Sequence, residues 1–174
     1  MKFAFVHRRF GVDGGTERFL ESLARRLGER DHDVHVWSAS VDPRYVRTRV
    51  ATFHKLPGGH GIVGALLLWI VAAIRVRPAG YDAVMHLGRT GPLDIYRAGG
   101  GCHRTWFGHV LARATGAARW RLLLSPYHRL RLWHERRALR SAARLVVPSE
   151  QARADFIAAY GALGERVEVL ANGV

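Results

Sequence analysis

The sequence predicts an α/β domain: a mainly parallel sheet with helices on both faces. Three observations predict it. Short β-branched runs alternate with longer amphipathic stretches. The short runs are apolar enough to be buried on both faces, as parallel strands are. Gly- and Pro-bearing loops separate the two kinds of segment. The 174 residues suit one domain of ordinary size. Function in such a sheet gathers at its carboxyl end, where the loops leave the strands.

Lys2–Val6 reads as the first strand, followed by the loop Phe10-Gly11-Val12-Asp13-Gly14-Gly15. From Gly15 the period changes. Phe19, Leu20, Leu23, Ala24 and Leu27 recur at helical spacing between Glu17, Arg18, Glu21, Arg25 and Arg26. Gly28 is the expected C-cap. In Asp33–Ser38, Val34 and Val36 alternate with His35 and Trp37, a second strand. Val50–Leu56 is a weaker third strand, ended by Pro57-Gly58-Gly59. The uncharged run 62–74 lies in a helix expected over 62–76. A membrane-crossing helix needs about 18–20 apolar residues, so this one is a core or docking helix. Ala83–Leu87 is a fourth strand and Leu145–Val147 another. Ser149 is the expected N-cap of a helix running to about Tyr160 and closed by Gly161. Val167–Leu170 is the last strand. The loops after Val6, Leu87 and Val147 are expected to share one rim.

Composition narrows the function classes. Apolar residues are 48% and charged residues 24%, which excludes wholesale disorder. The net charge is +13 with ten His in reserve, which implies an anionic partner: phosphate esters, nucleic acid or an acidic membrane surface. A single cysteine, Cys102, excludes an internal disulfide framework and a Cys-rich zinc site, and fits a reducing cytoplasm. The N-terminal apolar run is too short for a signal peptide. No zinc spacing, Ser nucleophile elbow or paired-carboxylate motif occurs.

Much of the charge is concentrated. Residues 97–140 hold ten arginines and one acidic residue, Glu135, together with three of the five tryptophans. Trp106, Arg119, Trp120, Arg121, Arg129, Arg131 and Trp133 suit an anionic membrane interface, with Trp at headgroup depth. The same composition suits nucleic acid or a solvated helical face. No recognised nucleic-acid motif is present.

Two loops carry candidate chemistry. Gly14 and Gly15 sit between a strand and a helix, where backbone N–H groups can face an anion. Neither the dinucleotide fingerprint nor the P-loop is present, and a plain flexible turn explains the glycines equally well. After the fourth strand, His86, Arg89 and Asp94 are expected at or near the rim, where His or Asp can act as a general base or bind a sugar hydroxyl. A strand-end His and a capping Asp are the plainer alternative.

Gly14-Gly15-Thr16-Glu17-Arg18, a helix, and Arg30-Asp31-His32-Asp33-Val34-His35-Val36 resemble the opening of GT-B glycosyltransferases of family 4, with Asp31 where a Gly is usual. Leu145-Val146-Val147-Pro148-Ser149-Glu150 and Arg166-Val167-Glu168-Val169-Leu170-Ala171-Asn172-Gly173-Val174 resemble the close of that family's N-terminal domain. Gly91–Tyr96, Gly100-Gly101-Cys102-His103 and Tyr127-His128-Arg129 with Glu135 are similar to the lipopolysaccharide core glucosyltransferases.

The resemblance implies that residues 1–174 are the acceptor-binding half of a retaining glycosyltransferase, with a basic insertion at about 97–140 and the C-terminal donor domain absent. A hexose would move from a nucleotide-sugar to a lipopolysaccharide-core or other lipid-linked saccharide, with no metal and no cofactor. Gly14 and Gly15 would approach the donor phosphates. Arg18, His86 and Arg89 would serve the acceptor, and Asp94 would be catalytic. The implied partners are the nucleotide-sugar, the acceptor, an anionic membrane surface and a donor domain in cis or trans. The implied place is the inner face of the cytoplasmic membrane, and the chain alone is expected to be inactive. The alternative function is a non-catalytic membrane-binding or nucleic-acid-binding module.

Overall fold

The computed structural model describes residues 1–11, 14–47, 51–58, 61–76, 80–87 and 94–172. In chain order the elements are β1 (Lys2–Phe10), α1 (Gly15–Gly28), β2 (Asp33–Val41), α2 (Pro43–Arg47), β3 (Thr52–Lys55), α3 (Gly61–Arg75), β4 (Ala83–Leu87) and β5 (Ile95–Arg97). There follow α4 (His103–Arg113), α5 (Gly116–Leu124), α6 (Pro126–Ser141), β6 (Arg144–Val147), α7 (Glu150–Tyr160), α8 (Ala162–Glu165) and β7 (Val167–Val169). The strands form one sheet in the order β3-β2-β1-β4-β5-β6-β7, and every pairing is parallel.

Both faces of the sheet are covered. β1 turns Ala4 and Val6 to one side, under Leu68, Ala72 and Val76 at the end of α3, and Phe5 to the other, under Leu20 and Ala24 of α1. His35 and Trp37 are therefore buried along with Val34 and Val36, and β2 has no solvent face. A third cluster joins Tyr96, Leu139, Leu145 and Phe156 and packs α6 and α7 on the far half of the sheet. Burying one such leucine is worth about 1.5–3 kcal/mol.

Four differences from the expected elements have local causes. β1 and β2 run on to Phe10 and Val41, because the ladder continues through His7–Ser38, Arg9–Ser40 and Phe10–Val41 despite the charged side chains. Gly28 is the last residue of α1 and not its C-cap, which is Glu29. The Asp31 amide donates to the Gly28 carbonyl and the His32 amide to Leu27, each at 3.1 Å, closing the helix on Asp31 in the left-handed region (φ 59°). Asp tolerates this conformation better than most side chains. The region 97–140, expected as one basic insertion, is spread over several elements of the domain. Arg97 belongs to β5, and α4, α5 and α6 form the crossover from β5 to β6.

The fourth difference is β5 itself, a strand the sequence pattern did not reveal. Ser149 and Gly161 bound α7 as expected: the Ala152 amide donates to Ser149 Oγ at 3.2 Å, and Gly161 takes a positive φ.

Candidate functional site at the carboxyl rim

β5 decides which side chains reach the rim. It runs parallel to β4, so the chain must return to the amino edge before it begins. Asp94 precedes β5 and lies on that amino edge. Its Oδ2 accepts from the Val84 amide at 2.9 Å, and its carbonyl accepts from the Arg144 amide at 3.0 Å. The expectation of Asp94 at the carboxyl rim is corrected accordingly. His86 is also not a rim group. It pairs with Val6 and Tyr96 in mid-sheet, fully buried, and desolvation pulls its imidazole down to about 3, so the ring is neutral. Arg89 lies outside the described residues.

At the other end of β5 stands Arg97, which sequence reasoning did not single out. It is 1% exposed. Its guanidinium stacks on Phe19 of α1 at 3.8 Å from the ring centroid, and Nη2 donates to Asn172 Oδ1. Among the described residues, Nε and Nη1 are buried without a hydrogen-bond partner. Burial lowers its pKa, yet a guanidinium stays charged in proteins. A side chain at position 99 would begin 2.6 Å from Arg97 Nη1 and 2.9 Å from Thr16 Oγ1, so Gly99 is required by close approach. The signal in the sequence was Ile95-Tyr96 before Gly99-Gly100-Gly101, a short strand and a glycine loop.

The N-terminus of α1 meets this cation. Gly14 is its N-cap, with no side-chain cap, and Gly15 borders open space. The first-turn amides and the Arg97 charge both bring positive charge to Thr16 and Gly99, against the carboxylate of Glu17 in the same turn. Glu17 folds back over Gly14, and its Oε1 lies 3.5 Å from His7 Nε2. His7 Nδ1 donates to the Leu87 carbonyl, tying the ends of β1 and β4. Arg18, on the same turn, is exposed to solvent.

Beyond Gly99 the loop is held by a buried carboxylate. Glu135 of α6 accepts from the His103 amide at 2.7 Å, the Arg104 amide at 3.2 Å and the Tyr160 hydroxyl at 2.8 Å. It thus satisfies the α4 N-terminus from another helix, and with burial its charge raises the Tyr160 pKa far above the ordinary phenol range.

The candidate membrane residues separate into two groups. Arg119, Trp120, Arg121, Arg129 and Trp133 are exposed on α5 and α6. Trp133 packs edge-on against Trp69 of α3, at 5.8 Å between ring centroids. From there α3 continues outward with Val63, Leu67, Ile70 and Ile74, all exposed. Among the described residues, no helix is long and apolar enough to cross a membrane. Trp106 and Arg131 instead line a cavity of about 260 Å³ between α4 and α6. Among the described residues no group of three or more His, Cys, Asp or Glu is arranged to hold a metal.

A seven-stranded parallel sheet covered by helices, with a glycine-bearing loop and a buried cation on one rim, defines a Rossmann-like α/β domain. The chain belongs to Glycosyltransferase Family 4, whose match spans residues 13–174. Among solved structures the chain resembles WaaG, a glycosyltransferase involved in lipopolysaccharide biosynthesis, with TM-score 0.71 and 24% identity over 97% of this chain and 44% of that one. It also resembles Anabaena Alr3699/HepE in complex with UDP-glucose, with TM-score 0.63 and 19% identity over 100% of this chain and 44% of that one. Phytolacca americana UGT2, complexed with UDP-2fluoro-glucose and pterostilbene, matches at TM-score 0.56 and 11% identity over 100% and 53%. The chain thus spans about half the length of these structures or less. No curated protein matches the sequence.

Proposed function

We propose that this domain is the acceptor-binding half of a retaining glycosyltransferase. It works with a donor domain supplied in cis or in trans and moves a hexose from a nucleotide-sugar to a lipopolysaccharide-core or other lipid-linked saccharide. The observation that carries the reading is the convergence of Arg97 and the α1 N-terminus on one point of the rim. As the bond from sugar to phosphate breaks and the bond to the acceptor oxygen forms, negative charge builds on the departing phosphate. Donors fixed in advance stabilise that charge without reorganising. Gly14 and Gly15 carry no side chain to block its approach, Glu17 being the side chain that lies over Gly14, and Arg18 faces the acceptor side. The reaction uses no metal and no cofactor of the protein.

The exposed faces of α5 and α6, with the outer stripe of α3, dock on the anionic inner face of the cytoplasmic membrane. Arg119, Arg121 and Arg129 supply attraction of about 1 kcal/mol each near such a surface, and Trp120 and Trp133 supply interfacial rings.

The test is transfer of labelled hexose from a nucleotide-sugar to extracted lipid-linked saccharide, with a family 4 donor domain added or fused. Transfer that needs both halves and falls with Arg97→Met is expected. No transfer with any nucleotide-hexose, or turnover by the chain alone, overturns the reading. Co-sedimentation with anionic and neutral vesicles, with an oligonucleotide competitor, tests the membrane face. Changing Arg119, Arg121 and Arg129 to Glu should release the chain, and loss of binding to the oligonucleotide would leave only general polyanion affinity.

A further inference from the structure

Immediately after the rim cation, the chain builds a second site. Gly100, His103, Trp106, Tyr127, His128 and Arg131 line the α4–α6 cavity. We propose that this cavity binds one sugar ring carrying an anionic substituent, phosphate or carboxylate. The proposal deepens the transferase reading and rests on it for the claim that the ring belongs to the acceptor.

The walls are flat and π-faced. Trp106 stacks on His103 at 5.2 Å between centroids, His103 on His128 at 5.4 Å, and His128 on Phe107 at 4.6 Å. His128 Nδ1 and His103 Nε2 lie 3.3 Å apart. This stack holds the Trp106 ring in place while leaving the residue 51% exposed. An indole fixed in that way offers an apolar face to the C–H side of a pyranose, at little further cost in side-chain entropy. An unsubstituted apolar ligand would leave the polar side of the cavity without partners. Burial and the Arg131 charge lower the His128 pKa, so its ring is neutral, and with Nδ1 engaged by His103 its Nε2 is the nitrogen that can make a hydrogen bond to a sugar hydroxyl.

One side chain in the lining carries a permanent charge. Arg131 lies over the Tyr127 ring at 5.0 Å and donates to the Tyr127 hydroxyl. A planar guanidinium held by stacking matches the geometry of a phosphate or carboxylate. The floor stays open, since a side chain at Gly100 or Gly101 would meet nothing within 4 Å. The Glu135 clamp on the His103 and Arg104 amides fixes the α4 wall against α6. The site is therefore preformed, and it sits a few residues along the chain from Arg97 and Gly99. A ring held there is presented to the rim where the donor phosphate is proposed to leave. The same Trp and Arg pair would otherwise read as part of the membrane face; the stacking of Trp106 on His103 turns it into a wall.

The test uses the ¹⁵N-labelled chain and follows the Trp106 Nε1–H signal during titration with glucose 6-phosphate, glucose, glycerol 3-phosphate and inorganic phosphate. Glucose 6-phosphate should shift it to saturation, with glucose about tenfold weaker. Glycerol 3-phosphate and phosphate should leave it in place. Arg131→Gln should erase the preference for the phosphorylated sugar while glucose still binds. Trp106→Phe should retain part of the affinity, and Trp106→Ala should lose binding of both sugars. A Trp106 signal that ignores glucose 6-phosphate overturns the proposal. So does an equal response to glycerol 3-phosphate, which would mark a lipid-headgroup site, or broadening by anionic vesicles alone. The transfer assay separates the two readings. Sugar binding at Trp106 without transfer to any acceptor leaves the cavity and removes the transferase; transfer unchanged by Trp106→Phe and Arg131→Gln removes the cavity and leaves the transferase.

Discussion

At the amino end of β5, the Asp94 carboxylate accepts from a backbone amide and its carbonyl accepts from another. At the carboxyl end, the Arg97 guanidinium is buried with two nitrogens that have no partner among the described residues. Only Ile95 and Tyr96 lie between them. The first charge is consumed in holding β4 to β5 and has little left to offer a ligand. The second is held in place by Phe19 and Asn172, and leaves donors over. In an α/β sheet the difference teaches where to look. Groups that finish the sheet are satisfied on one edge, and groups that serve a ligand are left unsatisfied on the other.

The largest effect should come from the clamp behind the carboxyl edge. Glu135→Ala removes a buried acceptor that serves the His103 and Arg104 amides, the Tyr160 hydroxyl and the Cys102 thiol. Chemical denaturation should show a loss of about 3–5 kcal/mol. A loss below about 1 kcal/mol would mean that the rim loop does not depend on it.

Acid should weaken the interior that joins the two edges. Burial pulls His86 down to about 3; burial, with Arg137 and Arg131, pulls His134 down to about 4. Both rings stay neutral in the fold and gain a proton on unfolding, from an ordinary value of 6.5. Their contribution is complete above pH 6.5 and is lost as pH falls from there through 4 toward 3. The unfolding free energy should fall over that window, by about 4–5 kcal/mol for His86. His86→Gln should flatten the slope; an unchanged slope would remove His86 as its source.

The direct contrast is a pair of substitutions. Asp94→Ala should cost about 1 kcal/mol of stability and leave transfer by the reconstituted enzyme near wild type. Arg97→Met should leave stability unchanged or raise it by about 1 kcal/mol, since it removes a buried cation with unmet donors. It should also lower transfer about tenfold, a difference of about 1.4 kcal/mol. Opposite results, with activity lost at Asp94 and kept at Arg97, would reverse the assignment of the two edges.

The smallest effect tests a turn remote from both. Asp31→Gly relieves a positive φ and should raise the denaturation midpoint, by about 0.5 kcal/mol. No gain would mean that Asp31 holds this conformation without strain.

Six of the seven strands and the α1, α3 and α7 helices were legible as apolar periodicity, because each buries a face and must repeat at the period of its backbone. Gly14 and Gly15 were legible because a loop that leaves its amides open needs residues without side chains. Arg97 and Asp94 were not. β5 has three residues, too few for a period to register, and missing it puts Asp94 on the wrong edge of the sheet. Trp106 and Arg131 were legible as a chemical pair but not as a cavity, because their neighbours come from two helices that meet only in three dimensions.

The sequence by itself determined the α/β class, the helix and loop that open the domain, the family resemblance and the concentration of positive charge. Those properties lie in local spacing and composition, which do not depend on distant parts of the chain. Only the tertiary structure decided which charge is satisfied and which is left for a ligand. That depends on how strand crossovers assign residues to an edge and on how α1, α6 and the segment at Asn172 close around β5. Both arise from pairings between residues far apart in the chain, and no local pattern records them.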